Sequence, residues 1–128
     1  MIDWSTVPYP PWWIERAAQR RIRLGSAVAR LRAVVAASDD IVGALVFGSY
    51  ALGRVGPESD LDVMLVTREP ANGDSGARYA RLVERLALGV PCDLLVYEEE
   101  EFRRLARERP FVAQALREGL WIDATSPP

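Results

Sequence analysis

The chain has 128 residues, is 49% apolar and carries a formal net charge of −2, which is the balance of one soluble globular domain. It contains no histidine and one cysteine, which excludes histidine-based catalysis, histidine-ligated metal sites and an internal disulfide. The slight acidity disfavours direct nucleic-acid binding through bulk charge. Without a signal peptide or an apolar run of membrane-spanning length, we expect a cytoplasmic protein that makes no membrane contact.

The first half of the chain predicts an arm, a long helix and a buried strand. Residues 1–11 are rich in proline and are typical of an extended arm. Apolar residues at helical spacing predict a helix over 12–37, and a partly β-branched apolar run predicts a buried strand over 41–47. We expect one or two helical turns over 49–53, followed by a loop over 54–59.

The second half predicts more strands and helices, so that the whole is an α+β fold. Its small mixed sheet of three to four strands would be flanked by helices, in one domain over 12–123 with a loose tail over 124–128. The elements expected after the first loop are a strand over 61–67, a polar loop over 69–76, a helix over 77–88, a strand over 90–97, helices over 98–107 and 110–118, and a short strand over 120–123.

Two aspartates, Asp60 and Asp62, stand at the start of the strand predicted over 61–67. Side chains alternate along a strand, so both carboxylates point to one face while the intervening apolar residues face the core. Two like charges on one face repel each other unless a cation joins them. Since the chain has no histidine, the natural partner is a hard divalent ion with oxygen ligands, namely Mg²⁺, or Mn²⁺ in its place.

Asp93 supplies a third carboxylate from the strand predicted over 90–97. On that strand Cys92 belongs to the inward apolar set, which makes it a core residue rather than a nucleophile, and Asp93 lies on the opposite face. If this strand neighbours the one that carries Asp60 and Asp62, the three carboxylates converge. Such a group can hold two metal ions for phosphoryl transfer.

The residues before the aspartates predict a phosphate-binding loop. Gly48 ends a strand and lets a phosphate approach the backbone closely, and Ser49 begins a turn whose N–H groups and hydroxyl can bind an anion. Ten residues separate Ser49 from Asp60, which leaves room for a turn and a return loop. Arg54 lies in this loop, where it either neutralises phosphate charge or pairs with Glu58.

The combined pattern Gly-Ser-x10-Asp-x-Asp, with a later third aspartate, resembles the DNA polymerase β-like nucleotidyltransferase superfamily. More narrowly, it resembles the minimal nucleotidyltransferase (MNT) group. The resemblance covers residues 41–102. The matching residues are Gly48, Ser49, Ala51, Gly53, Arg54, Ser59, Asp60, Asp62 and Asp93.

The resemblance implies a nucleoside triphosphate, with ATP expected, and two Mg²⁺ ions. Asp60, Asp62 and Asp93 would be the catalytic residues and metal ligands. The nucleotide-binding residues would be Gly48, Ser49, Arg54 and Ser59. The implied reaction is attack of a hydroxyl on the α-phosphorus with release of pyrophosphate. In the MNT group the domain is often paired with a helical HEPN protein, and some pairs are toxin–antitoxin modules in which the MNT protein adenylylates the toxin.

Three functions therefore remain open at this point. The leading hypothesis is an antitoxin enzyme that transfers AMP to a HEPN-type partner. The second is a non-catalytic antitoxin that silences its partner by covering it, and the third is a small-molecule nucleotidyltransferase of the aminoglycoside type. The absence of lysine and the aromatic residues near both ends favour a partner protein. A homo-oligomer is also compatible with the sequence.

Aromatic and basic residues of the first predicted helix have a plainer interpretation. Trp12 and Trp13, together with Trp121 near the end of the chain, are expected to be core or subunit contacts rather than base-stacking platforms. Arg16 and Arg20 are expected to belong to a solvated helix face rather than to a nucleic-acid patch.

Overall fold

A computed structural model of the chain describes residues 9–68 and 75–125. The predicted order of elements is confirmed. The elements are α1 (Pro11–Ala37), β1 (Ile41–Phe47), β2 (Leu61–Thr67), α2 (Ser75–Leu86), β3 (Cys92–Glu98), α3 (Glu99–Glu108), α4 (Pro110–Glu118) and β4 (Leu120–Asp123). Parts of the predicted arm (1–8), polar loop (69–74) and tail (126–128) lie outside the described residues.

The four strands form one mixed sheet in the order β3-β2-β1-β4. The central strand β1 runs antiparallel to both β2 and β4, whereas β2 and β3 run parallel. Strands and helices together make the predicted α+β architecture, with helices on both faces of the sheet. None of the helices within the described ranges combines the length and apolar character that crossing a membrane requires.

Alternation along the strands divides the core between the two faces of the sheet. On one face, Leu61, Val63 and Leu65 of β2 pack with buried residues of α1 and α2. On the other face, Met64 and Val66 pack with residues of α3 and α4, including Phe102. The predicted inward set of β2 is therefore correct. The odd- and even-numbered residues of this strand serve different cores.

Two boundaries differ from the predictions for a backbone reason. The helix predicted over 77–88 ends at Leu86, because Ala87 has a φ of 44° and Gly89 a φ of 72°, both in the left-handed region that cannot continue a right-handed helix. The chain then passes through Pro91, and β3 begins at Cys92 rather than at residue 90. Proline has no N–H to donate to a sheet ladder, so this strand starts after it.

The segment expected to be one or two helical turns, 49–53, is a hydrogen-bonded turn and not a helix. The N–H of Leu52 donates to the Gly48 carbonyl at 3.1 Å, and the N–H of Arg54 donates to the Ser49 carbonyl at 2.8 Å. Gly53, with a φ of 70°, turns the chain out of this arrangement. The loop between β1 and β2 is consequently held by its own backbone.

Candidate functional site

The site begins where β1 ends, at Gly48. This residue has a φ of 74°, a conformation that residues with a Cβ rarely adopt. A Cβ added at Gly48 would overlap the Oδ2 oxygen of Asp62. Glycine is therefore needed here for two reasons, the backbone conformation and the close approach of the carboxylate. The contact brings the predicted phosphate loop directly against the first acidic strand.

Asp62 and Asp93 are partners in register across the parallel strands β2 and β3. The predicted adjacency of the two strands is therefore correct, and both carboxylates lie on the sheet face of α3 and α4. Asp62 is half-buried, whereas Asp93 is exposed. Asp60 is also exposed and precedes β2 by one residue. The acidic residues thus stand side by side at the end of the sheet where β2 and β3 begin.

An aromatic pair lies on the other side of Asp62. Phe47 is its partner in register on β1, and the Phe47 ring contacts the Phe111 ring of α4 edge-on, with centroids 5.6 Å apart. Phe47 thus flanks Asp62 on the strand opposite to Asp93. Burial is accordingly the largest cause that raises the pKa of Asp62 above its usual value. The negative charges of Asp93 and Asp60 and a hydrogen bond between the Asp62 and Asp93 carboxyls raise it further.

The same negative charges also affect Cys92, whose side chain lies on the opposite face of β3 from Asp93. Burial raises the pKa of its thiol to about 11, and the carboxylates of Asp62, Asp93 and Asp60 add to this shift. The side chain packs against the larger of the two cores. This packing agrees with the prediction that Cys92 belongs to the inward apolar set of its strand, and a thiol with a raised pKa is a poor nucleophile at neutral pH.

The donor set at this site fits a hard divalent cation. Asp60, Asp62 and Asp93 offer oxygen atoms only, which are the ligands that Mg²⁺ and Mn²⁺ prefer. The repulsion that raises the pKa of Asp62 is what a bound cation would relieve. Across residues 9–68 and 75–125, no three or more acidic or cysteine side chains are already gathered in a metal-binding geometry. Metal binding by these three residues therefore stays a prediction.

Ser49, the second residue of the predicted phosphate loop, is half-buried. Its hydroxyl has no hydrogen-bond partner among the described residues, which leaves the hydroxyl available to a ligand. The sequence predicted an anion site at the start of a helix. No helix follows Ser49, so only the N–H groups of one turn are available for an anion. Tyr50, a bulky residue beside this loop, packs against the larger core, and its hydroxyl lies near Gly25 of α1.

Two further predicted nucleotide-binding residues lie in the loop that leads to Asp60. Arg54 is exposed, and its guanidinium forms no ion pair with Glu58 or with any other described residue. The alternative of an Arg54–Glu58 pair is therefore wrong, and phosphate contact stays a prediction. Ser59 has a structural task, since its Oγ accepts a hydrogen bond from the Gly56 N–H at 2.8 Å. This bond closes the turn immediately before Asp60.

Helix α1 contributes to this end of the molecule in a way that the sequence did not reveal. The Nε of Arg20 donates to the Pro57 carbonyl at 3.0 Å, and the Trp13 ring lies over Gly56. Trp12 is 55% exposed and is therefore not a core residue, whereas the alternative of a subunit contact stays a prediction. Trp121 is likewise exposed. Trp12 and Arg16 are four residues apart, so they lie one turn apart on the same face of α1. This spacing is the sequence signal that could have indicated their contact.

Comparison with known proteins agrees with this geometry. A family model described as a nucleotidyltransferase domain matches residues 28–121, which include Gly48, Ser49 and the aspartates. The fold is similar to the crystal structure of a Sulfolobus solfataricus protein assigned as a nucleotidyltransferase, with a TM-score of 0.55 and 22% sequence identity over 83% of this chain and 85% of the other. No curated protein matches the chain. The family match spans most of the sequence, and the chain belongs to the nucleotidyltransferase domain family.

Proposed function

We propose that this protein is a magnesium-dependent nucleotidyltransferase of the MNT type that transfers AMP from ATP to a hydroxyl of a HEPN-type partner protein, as the antitoxin of a toxin–antitoxin pair. The observation that carries the proposal is the contact of Gly48 with Asp62, which is itself in register with Asp93. A phosphate loop and a set of carboxylates thereby meet at one point. Phosphoryl transfer needs both, because the triphosphate must be held while charge develops at the α-phosphorus.

Each residue has a distinct part in the proposed reaction. The backbone at Gly48 and the Ser49 hydroxyl hold the terminal phosphates, and Arg54 neutralises their charge. Asp60, Asp62 and Asp93 would hold the Mg²⁺ ions, and Asp93 accepts the proton of the attacking hydroxyl. Bound Mg²⁺ would supply positive charge that stabilises the negative charge developing on the phosphate oxygens. The hydroxyl oxygen forms a bond to the α-phosphorus, and the bond to pyrophosphate breaks.

The decisive experiment measures the transfer of a radioactive AMP group from ATP to the partner protein. The chain is incubated with ATP labelled at the α-phosphate, Mg²⁺ and a helical HEPN-type protein. We expect label on the partner, and a loss of more than about 100-fold in the labelling rate with Asp62→Asn, since a metal ligand is removed. Asp39→Asn is the matched control, because Asp39 is an exposed carboxylate before the opposite end of β1. An unlabelled partner, or an Asp62→Asn variant as active as the parent, contradicts the proposal.

A second candidate function, silencing of the partner by covering it, is favoured by exposed apolar side chains. Phe111 of α4 is 58% exposed, and Leu120 and Trp121 of the edge strand β4 are 41% and 39% exposed. Such residues are more typical of protein interfaces than of a free surface. The Asp60→Ala/Asp62→Ala double variant separates the two functions. Inhibition of the partner that survives both substitutions supports covering, and inhibition that disappears supports adenylylation.

A further inference from the structure

Helix α1 is longer than the sheet it covers, and the excess lies at the site. Its 27 residues span about 40 Å, whereas the seven residues of β1 span about 23 Å. Only residues 38–40 separate the two elements, so the helix runs back along the strand toward Gly48. Ala17 is the first residue of α1 that is buried. The turns before it therefore extend beyond the sheet, at the end where the aspartates stand.

This overhang and the loop before Asp60 enclose a cleft of about 730 Å³. Trp12, Trp13, Arg16 and Arg20 line one wall, and residues 56–59 line the other. Two hydrogen bonds hold the loop wall in place. Arg20 donates to the Pro57 carbonyl, and the Gly56 N–H donates to Ser59. The residue that follows the cleft in the chain is Asp60. The cleft thus borders the loop that leads to Asp60, and of its lining residues only Ser59 is among the predicted nucleotide-binding residues.

The side chains of the cleft suit a flat aromatic ring that carries a nearby negative charge. The rings of Tyr9 and Trp13 are stacked with centroids 4.0 Å apart, so Tyr9 covers one face of the Trp13 indole and orders this side chain at the cleft. The indole of Trp12 is more than half exposed, and the Arg16 guanidinium lies 5.3 Å from its centroid. Stacking on indole faces, assisted by arginine, is the common way in which proteins bind nucleobases without reading their sequence.

The charges in the cleft favour a single nucleotide over a long polyanion. Arg20 already donates to the Pro57 carbonyl, which leaves Arg16 as the main cation, and Glu58 adds a carboxylate to the opposite wall. The chain as a whole has a net charge of −2. A nucleic-acid strand needs several cations along its backbone, which this cleft does not offer.

We propose that this cleft is the nucleobase subsite of the nucleoside triphosphate, with Trp12 and Trp13 stacking on the base and Arg16 near its ribose phosphate. The proposal rests on the proposed transferase function. Such a subsite would also add affinity for the nucleotide beyond that of the phosphate loop. The chain has no lysine, so affinity for the nucleotide must come from arginine and from surfaces other than the triphosphate.

Calorimetry with two ligands tests the subsite, using Mg²⁺ with either ATP or inorganic tripolyphosphate. In Trp12→Ala we expect ATP affinity to fall roughly tenfold, the effect of removing one stacking platform, while tripolyphosphate affinity stays unchanged. Trp12→Phe retains a ring and is expected to bind ATP nearly as the parent does. Ile22→Ala is the matched control, because Ile22 is a 70% exposed apolar residue on the same helix.

Any other result contradicts the assignment of this cleft as the nucleobase subsite. ATP binding that is unchanged in Trp12→Ala leaves the transferase proposal standing and removes the base from this cleft. The same conclusion follows from an equal loss of affinity for ATP and tripolyphosphate, from a parent that binds the two equally, or from a Trp12→Phe variant as weak as Trp12→Ala. A parent chain that binds neither ligand in the presence of Mg²⁺ contradicts both proposals.

Discussion

Gly48 is the residue at which backbone conformation and the acidic site depend on each other. Its left-handed φ lets the chain leave β1 at the required angle, and its missing side chain makes room for the Asp62 carboxylate. Asp62 in turn is held in register with Asp93 and lies beside the Phe47 ring. The geometry of the site therefore rests on one glycine more directly than on any single acidic residue.

A pair of glycine substitutions separates the two roles of Gly48. Gly89 has a similar φ of 72°, but a Cβ there would meet no atom within 4 Å. We expect Gly89→Ala to cost about 1–2 kcal/mol of unfolding free energy through backbone strain alone. Gly48→Ala should cost more and should also abolish Mg²⁺-dependent ATP binding, because Asp62 must move. Urea unfolding and calorimetry measure the two effects. Equal losses of stability with ATP binding intact would contradict this account.

At the scale of elements, arginines add polar contacts to the apolar packing of α2, whose Leu82 and Leu86 are buried in the larger core. Arg30 of α1 donates through its Nε to the Leu86 carbonyl at 3.1 Å, near the C-terminal end of α2. Arg85 of the same helix binds both carboxylate oxygens of Asp40 at 2.8 Å, just before β1. These contacts join the far end of α2 to the end of the sheet opposite the aspartates, where they cannot disturb the site.

The Asp40–Arg85 pair predicts a small pH-dependent contribution to stability. The hydrogen bonds from Arg85 lower the pKa of Asp40 below its usual value of 3.8. A carboxyl with a lowered pKa in the folded state stabilises the fold above pH 3.8, and this contribution is lost as the pH falls through the folded-state pKa. Because both partners are substantially exposed, we expect Asp40→Asn to cost only about 0.5–1 kcal/mol at pH 7 and progressively less below pH 3.8.

Asp39→Asn is the control for this pair, since the Asp39 carboxylate has no ion pair among the described residues and only its backbone carbonyl is bonded, to Arg68. Urea unfolding at pH 7 and at pH 3 gives the comparison. A difference between Asp40→Asn and the parent that is the same at both pH values would show that the ion pair does not stabilise the fold.

At the scale of the whole molecule, the sheet is shared by two cores. Leu31 of α1 is fully buried on one face, and Phe102 of α3 is buried on the other. Successive residues of β1 and β2 point to opposite faces, so neither core can be lost without disturbing strands that the other needs. This coupling also links the phosphate loop, which follows β1, to Asp60 and Asp62 at the start of β2.

We therefore expect one cooperative unfolding transition. Leu31→Ala should lower the unfolding free energy by about 2–5 kcal/mol and Phe102→Ala by about 3–5 kcal/mol, each shifting the whole transition. Ile22→Ala, on the exposed side of α1, should change it by less than about 0.5 kcal/mol. The unfolding transition of each variant in urea is measured in parallel by far-UV circular dichroism and by tryptophan fluorescence. Transitions that separate in either core variant would indicate two units rather than one domain.

Most of the fold could be predicted from the sequence because its signals are local. The limits of β1, β2, α4 and β4 follow from apolar runs bounded by glycine, proline and aspartate. The end of α2 could not be placed, since a left-handed Ala87 has no sequence signature. The turn after Gly48 was expected to be helical, but Gly53 ends it before a helix can form. The exposure of Trp12 depends on how far α1 extends past the sheet, which spacing alone does not reveal.

The sequence by itself determined the chemistry of the site, because residue type and short spacing are local properties. With no histidine and no lysine, carboxylates and arginine are the charged side chains left for metal and phosphate, and the segment from Gly48 to Asp62 brings Asp60, Asp62 and Arg54 within fifteen residues. Only the tertiary structure decided that Asp93 stands beside Asp62, since strand order depends on long-range packing. It likewise decided that α1 overhangs the aspartates, because that follows from the length of the helix relative to the sheet on which it packs.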